Sequence, residues 1–247
     1  MTAPILYCGD TCLDGDAAYL AGLLTRWSFK FDYCPSDREL DPGSVPGRRL
    51  VILSDYPSAQ MNATAQATLL AAIHAGTNLL MIGGWESFHG LGGDWDTTSI
   101  AAALPVVVRG DDDRLNCDHP VLIRPVINHP AIDGLPWSER APYVGGFNRF
   151  EPKPPSTVVL EADRLRPRHR DGVWQVELVE THPLLVVGSY GNGTTAALAT
   201  DVAPHWVGGF VDWGDMRVTE KARGSKTIEV GHLYALFWKQ LLTFMME

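Results

Sequence analysis

The chain has 247 residues, 45% of them hydrophobic and 20% charged, which fits a soluble globular protein with an ample core. Its formal net charge of −9 argues against a nucleic-acid partner, because phosphate binding needs clustered lysine and arginine. No apolar run approaches the ~20 residues that cross a bilayer, and the start MTAPILYCGD lacks a basic segment followed by a long apolar one, so a cytoplasmic protein with no membrane partner is expected.

The predicted elements alternate from the start. Pro4 to Cys8 is a short apolar strand that ends at Gly9-Asp10. Gly15 to Ser28 places Ala18, Leu20, Leu23, Leu24 and Trp27 at helical spacing. Phe29 to Tyr33 alternates apolar and polar residues, as a strand near a sheet edge does, and Arg49 to Ser54 reads as a buried strand. Asn62 is placed to cap a helix that runs to Ala75 and stops at Gly76. Asn78 to Gly84 is a fourth strand. Continuous apolar strands separated by helices predict a mainly parallel sheet covered on both faces.

After Leu104 the pattern changes. Proline and glycine become frequent, and residues 105–155 read as a β-rich insertion or an added sheet within a single domain spanning 1–247. Four more strands follow: Thr157 to Ala162, Val173 to Val179, Pro183 to Tyr190 and Thr194 to Thr200. Asn192-Gly193 between the last two suits a primed hairpin turn. The basic run Arg164 to Arg170 reads as a solvated hairpin turn. Glu229 to Met245 forms an amphipathic closing helix. His129 and His182 each precede proline and read as turn residues.

Three stretches carry a resemblance: LSDYPS after the third strand, GGWESF after the fourth, and HPLLVVGSYGNGTTAALATDVAPHW near the end. Together they resemble the class I glutamine amidotransferase-like superfamily, in a divergent branch related to the trehalose-utilisation family. The resemblance implies a three-layer, flavodoxin-like α/β fold. It also implies chemistry built from a cysteine at the tight turn after a central strand, a late histidine and a glutamate close behind it. Such a turn aims a thiol at backbone N–H groups that stabilise both thiolate and oxyanion.

Mapped onto this chain, the turn is Gly84-Trp85-Glu86, with no cysteine near it. The late histidine matches His205, but Val207 stands where the orienting acid belongs. Glutamine hydrolysis through a thiol is therefore not expected. None of the four cysteines forms a CxxC pair, which predicts reduced thiols. Cys117-Asp118-His119 has no second cluster at zinc-like spacing, and Asp111 to Asp113 reads as a solvated acidic turn, so neither a metal nor another cofactor is expected.

Ligands bind parallel sheets at the carboxyl ends of the strands. Those ends predict a catalytic set of Glu86, Asp201 and His205. The predicted ligand-binding set is Asp10, Asp55, Tyr56, Trp85, Ser87, His89 and Trp206. Each isolated aspartate also has a plain reading as a cap or loop residue, and the glycine-rich loop around His89 and Asp94 lacks the lysine and the spacing of a phosphate loop, so it reads as a lid or packing loop. Trp95, Trp137, Trp206 and Trp213 fall in loops, where they either contact a partner or close the domain. Three functions follow. The first is an amidotransferase-like protein without the elbow cysteine that binds a small polar molecule, a carbohydrate or a carboxylate. The second is an enzyme using Glu86, Asp201 and His205 for acid–base hydrolysis or isomerisation. The third is a structural or regulatory subunit, a homo-oligomer formed through its tryptophan loops.

Overall fold

The computed structural model describes residues 2–247; the side chain of His205 lies outside the described residues. The first half alternates strands and helices. Strand β1 (Ile5–Gly9), helix α1 (Ala17–Arg26), β2 (Phe31–Cys34), β3 (Leu50–Ser54), helix α2 (Ala63–Ala75) and β4 (Asn78–Ile82) follow in order. Local chemistry sets these bounds. The Asn62 side chain accepts the Ala65 N–H at 2.9 Å and Gly76 ends α2, as the sequence predicts. Strands β1, β3 and β4 are buried at every position, which is why they read as unbroken apolar runs.

The second half is mostly β. It contains β5 (Val106–Val108), β6 (Arg114–Pro125), β7 (Tyr143–Asn148), β8 (Phe150–Pro152), β9 (Thr157–Arg170), β10 (Val173–Tyr190) and β11 (Gly193–Leu198). A short helix α3 (Pro204–Val207), β12 (Arg217–Glu220), β13 (Ile228–Gly231) and the closing helix α4 (His232–Met245) complete the chain.

The central sheet is mixed, with the order β2-β1-β3-β4-β11-β10-β9-β6-β7. The five strands from β2 to β11 are parallel, and the remaining pairings are antiparallel. β2 is an edge, as its alternation predicts. The strands β6 and β7, from the proline-rich stretch, add to the far side of the sheet, while β5 and β8 pair separately. The hairpin that joins β10 to β11 turns at Gly191-Asn192, one residue before the expected Asn192-Gly193, because Gly193 already pairs with Tyr190.

Several local expectations change. Val173–Val179 and Pro183–Tyr190 are not two strands but one. The register shifts near Leu178 and Pro183 let β10 absorb a proline without ending. Arg164–Arg170 is not a turn but the outer part of β9; the turn is Asp171-Gly172. Trp95, Trp137, Trp206 and Trp213 are all buried, so these tryptophans pack the interior and close the domain. Trp137, Phe210, Trp213 and Phe237 form one aromatic cluster against α4. The indole of Trp27 donates to the carbonyl of Ala235 at 2.8 Å and ties α1 to α4.

Candidate functional site

The carboxyl ends of β1, β3 and β4 open into one cleft of about 420 Å³. Asp10, Cys12, Asp16 and Ser36 line one part of it; Asp55, Trp85, Glu86 and Leu91 line the other. The sequence therefore predicts Asp10, Asp55, Trp85 and Glu86 in the same place, and the structure brings these four together.

Backbone geometry holds the two aspartates. Asp10 and Asp55 both sit in the left-handed region, at φ 44° and 47°. Aspartate tolerates that conformation better than most residues, and such strain gathers at functional sites. The Asp10 N–H donates to the Asp55 carbonyl at 3.2 Å, so the ends of β1 and β3 are tied together. The Tyr7 hydroxyl donates to Asp10 Oδ2 at 2.8 Å, and the Tyr33 hydroxyl donates to the Asp10 carbonyl at 2.7 Å. Asp55 Oδ1 accepts the Glu86 N–H at 2.7 Å, and the Asp55 N–H donates to Ser87 Oγ at 3.0 Å. Ser87 is buried, and it positions Asp55 instead of lining the cleft.

The carboxyl groups perturb one another. Burial, reinforced by the nearby Asp55 charge, pushes Asp10 up to about 7. Burial pushes Asp55 up to about 6 against the stabilising Glu86 N–H, and the Glu86 charge adds to the rise. Burial alone raises Glu86. Asp201 is raised well above the usual carboxylate range by burial and by the charges of Asp55 and Asp10. It is buried and outside the lining of the cleft. Its Oδ1 accepts the N–H groups of Val202 and Ala203 at the start of α3. In all four, burial favours the protonated form, and among the three aspartates neighbouring carboxylate charge adds to it.

The other predicted positions lie elsewhere. Tyr56 is buried, with its hydroxyl 2.7 Å from the Arg38 carbonyl and 3.0 Å from that of Gln60, away from the cleft lining. The Trp206 indole is buried and donates to Asn116 Oδ1 at 2.6 Å. His89 Nδ1 lies 2.8 Å from Asp96 Oδ1, and this pairing raises the imidazole above its ordinary range. His205 belongs to α3, but its predicted catalytic side chain lies outside the described residues.

Sequence reasoning missed the scaffold of the turn after β4. Asp113 is fully buried, not solvated: its Oδ1 accepts Asn148 Nδ2 at 2.7 Å and the Gly90 N–H at 3.1 Å, and its Oδ2 accepts the His89 N–H at 3.0 Å. Asn148 Oδ1 in turn accepts the Gly84 N–H at 2.9 Å. Its neighbours Asp111 and Asp112 face outward on Arg109 and Arg114. The Arg114 guanidinium also stacks over the Trp85 ring, 4.5 Å from its centroid, and Trp85 remains 46% exposed. Cys12 lines the cleft from the loop after β1 and is exposed, a position that no spacing motif marks.

The architecture and cleft define an α/β protein with a ligand-sized opening at the carboxyl ends of parallel strands. Residues 49–219 match the family model described as "putative glutamine amidotransferase", and the chain belongs to this GATase1-like family. Two cytoplasmic proteins from Salmonella typhimurium share its fold. Each is 22% identical with 98% of both chains covered, and the TM-scores are 0.74 and 0.73. A thua-like protein from Parabacteroides merdae is 12% identical, with a TM-score of 0.56 over 98% of this chain and 88% of its own. No curated protein sequence matches the chain. Among the described residues, no helix is long and apolar enough to cross a membrane, and no group of three or more histidine, cysteine or acidic side chains is arranged to hold a metal ion.

Proposed function

We propose that this chain is a cytoplasmic, amidotransferase-like protein that works without an elbow cysteine and binds a small neutral polyhydroxylated molecule, a carbohydrate, in the cleft. One observation carries the reading: Asp10, Asp55 and Glu86 converge with the exposed ring of Trp85 on a single opening. Carboxylates accept hydrogen bonds from sugar hydroxyls, and an indole face packs on the apolar face of a pyranose. The same carboxylates repel an anion, so a carboxylate ligand is disfavoured. Trp85 occupies the turn where a thiol would act, so thiol-dependent glutamine hydrolysis has no nucleophile there. The cytoplasmic part of the reading rests on the Salmonella neighbours, which are described as cytoplasmic proteins.

The fold supports a three-layer, flavodoxin-like arrangement within a single domain spanning 1–247. From β1, helix α1 leads outward to β2, and from β3, helix α2 leads the other way to β4. Right-handed crossovers in opposite directions place the two helices on opposite faces.

A second reading has one observation in its favour. Asp10 near 7 and Asp55 near 6 can each gain or lose a proton at physiological pH, as acid–base catalysis requires. In that case Asp10, Asp55 and Glu86 act at the cleft, and the buried Asp201, which interacts with the charges of Asp55 and Asp10, tunes them.

Calorimetric titration with neutral mono- and disaccharides, sugar acids and glutamine tests both readings. Neutral sugars are expected to bind, with affinity falling at least tenfold in Trp85→Ala and in Glu86→Gln. Ammonia release from glutamine, or binding of sugar acids alone, overturns the proposal. Turnover of a bound sugar that Asp10→Asn abolishes favours the second reading.

A further inference from the structure

The outer part of the β9–β10 hairpin leaves the sheet. Strand β6 pairs with β9 only as far as Arg164, so residues 165–170 and 173–178 face each other as a two-stranded ribbon without a third strand. Asp171 and Gly172, at φ 51° and 79°, form its tight turn. A two-stranded ribbon alone is marginally stable in water.

Its register sorts the side chains. Leu165 faces Leu178, Pro167 faces Val176 and His169 faces Trp174, so these six share one side of the ribbon. The rings of His169 and Trp174 pack with their centroids 5.0 Å apart. The other side pairs Arg166 with Glu177, Arg168 with Gln175 and Arg170 with Val173, and Arg168 Nε lies 2.9 Å from Glu177 Oε2. This is the pattern of a strand pair with one buried face, yet its apolar side lies open. Trp174 is 70% exposed, Val176 66% and Leu178 57%. A row of large apolar side chains in the open marks an interaction surface.

We infer that the apolar face of this ribbon packs against the same face of a second copy of this chain, making a two-fold dimer with the ribbons stacked. Self-association through one patch requires that the patch match itself, and an apolar face with its arginines on the reverse side does so. Stacking two such faces sends both rows of arginine outward, where solvent screens them. Among the other large apolar side chains exposed in the described residues, Val173 lies on the arginine side of the ribbon, and Leu91, Val107, Val126 and Met216 belong to other segments of the chain. At about 100 Å² for each of six side chains, the stacked ribbons remove on the order of 1,200 Å² from water, the lower bound for a specific interface.

Sedimentation velocity between 1 and 100 µM tests the inference. The wild type is expected at twice the 27.1 kDa chain mass, and Trp174→Glu/Val176→Glu is expected at the chain mass with an unchanged circular dichroism spectrum. Should that variant misfold, a chain with residues 167–176 replaced by Asn-Gly removes the same face while keeping a hairpin, and it too is expected to be monomeric. A monomeric wild type at 100 µM overturns the inference. A dimer that survives in the folded charged variant or in the shortened chain overturns it as well.

Discussion

The two halves of the central sheet solve different problems. From β2 to β11 the strands are parallel, and β1, β3 and β4 are buried at every position, so their side chains have no freedom to carry chemistry and the chemistry collects at the strand ends. From β10 to β7 the strands are antiparallel, and the outer parts of β9 and β10 run out of the sheet with one polar and one apolar side. Rigidity in the first half positions four carboxylates beyond its strand ends, two of them, Asp10 and Asp55, on left-handed backbone. The second half is a platform that supports the turn after β4 through Asn148 and Asp113 and extends a ribbon away from it. The same chemical change should therefore cost very different amounts in the two regions.

The largest contrast is between two glycines. Gly9 pairs with Ser54 across β1 and β3, and a Cβ there would stand 1.7 Å from the Ser54 carbonyl oxygen, a contact that only backbone separation can relieve. Gly9→Ala is expected to cost more than about 5 kcal/mol and to leave little folded protein, read from soluble yield and circular dichroism. A folded variant within about 1 kcal/mol of wild type would show that β1 and β3 can part without loss, and that the strand ends are not held as tightly as their distances indicate.

Next comes the platform. Asp113→Ala strips the acceptor from Asn148 Nδ2 and from the N–H groups of His89 and Gly90. Buried donors left unpaired cost about 1–3 kcal/mol each, part of which water can recover, so a loss of about 3 kcal/mol in urea unfolding is expected. Hydrogen exchange should rise across residues 84–95 while β1 stays protected. An equal rise in both would mean that the platform supports the whole sheet and not the turn alone.

Much of the parallel half was legible in the sequence. Apolar runs ending in Asp10, in Asp55 and in Trp85-Glu86 give both the strands and the cleft, because parallel strands share one open end. The platform was not legible. Asp111, Asp112 and Asp113 look alike in sequence; the one that is buried is decided by β6 lying beside β7 and bringing Asn148 within 2.7 Å. Tyr56 and Ser87 follow a strand end and belong to the turn after one, respectively, and nothing local shows that both point inward. The ribbon was hidden for a different reason: arginines alternate with Leu165, Pro167 and His169, so the run reads as uniformly basic until its pairing with Trp174, Val176 and Leu178 separates the two sides.

The cleft carries its own signature in pH. Asp10 holds its proton up to about 7 in the folded chain, against 3.8 as its ordinary value. The folded state therefore binds more protons than the unfolded state between those limits, and stability falls as pH rises through that window and levels above it. Asp10→Asn removes the titrating group and keeps an acceptor for the Tyr7 hydroxyl. It is expected to match wild type below pH 4, to gain progressively between pH 4 and 7, and to be more stable by on the order of 4 kcal/mol at pH 8. Urea midpoints at pH 4, 6 and 8 read this directly. A gap that does not change with pH would show that burial is not what this site imposes on Asp10.

The smallest effect belongs to the other glycine. Gly172 has φ +79°, but nothing lies within 4 Å of where its Cβ would stand. Gly172→Ala therefore meets only the conformational penalty of a left-handed backbone, about 1 kcal/mol, with no clash. The ribbon can open without the sheet, so the penalty is expected to appear locally: amide exchange over residues 165–178 speeds up about fivefold while the urea midpoint stays where it was. A midpoint that falls with the exchange rates would join the ribbon to the cooperative unit of the sheet, and the contrast with Gly9 would then be one of degree alone.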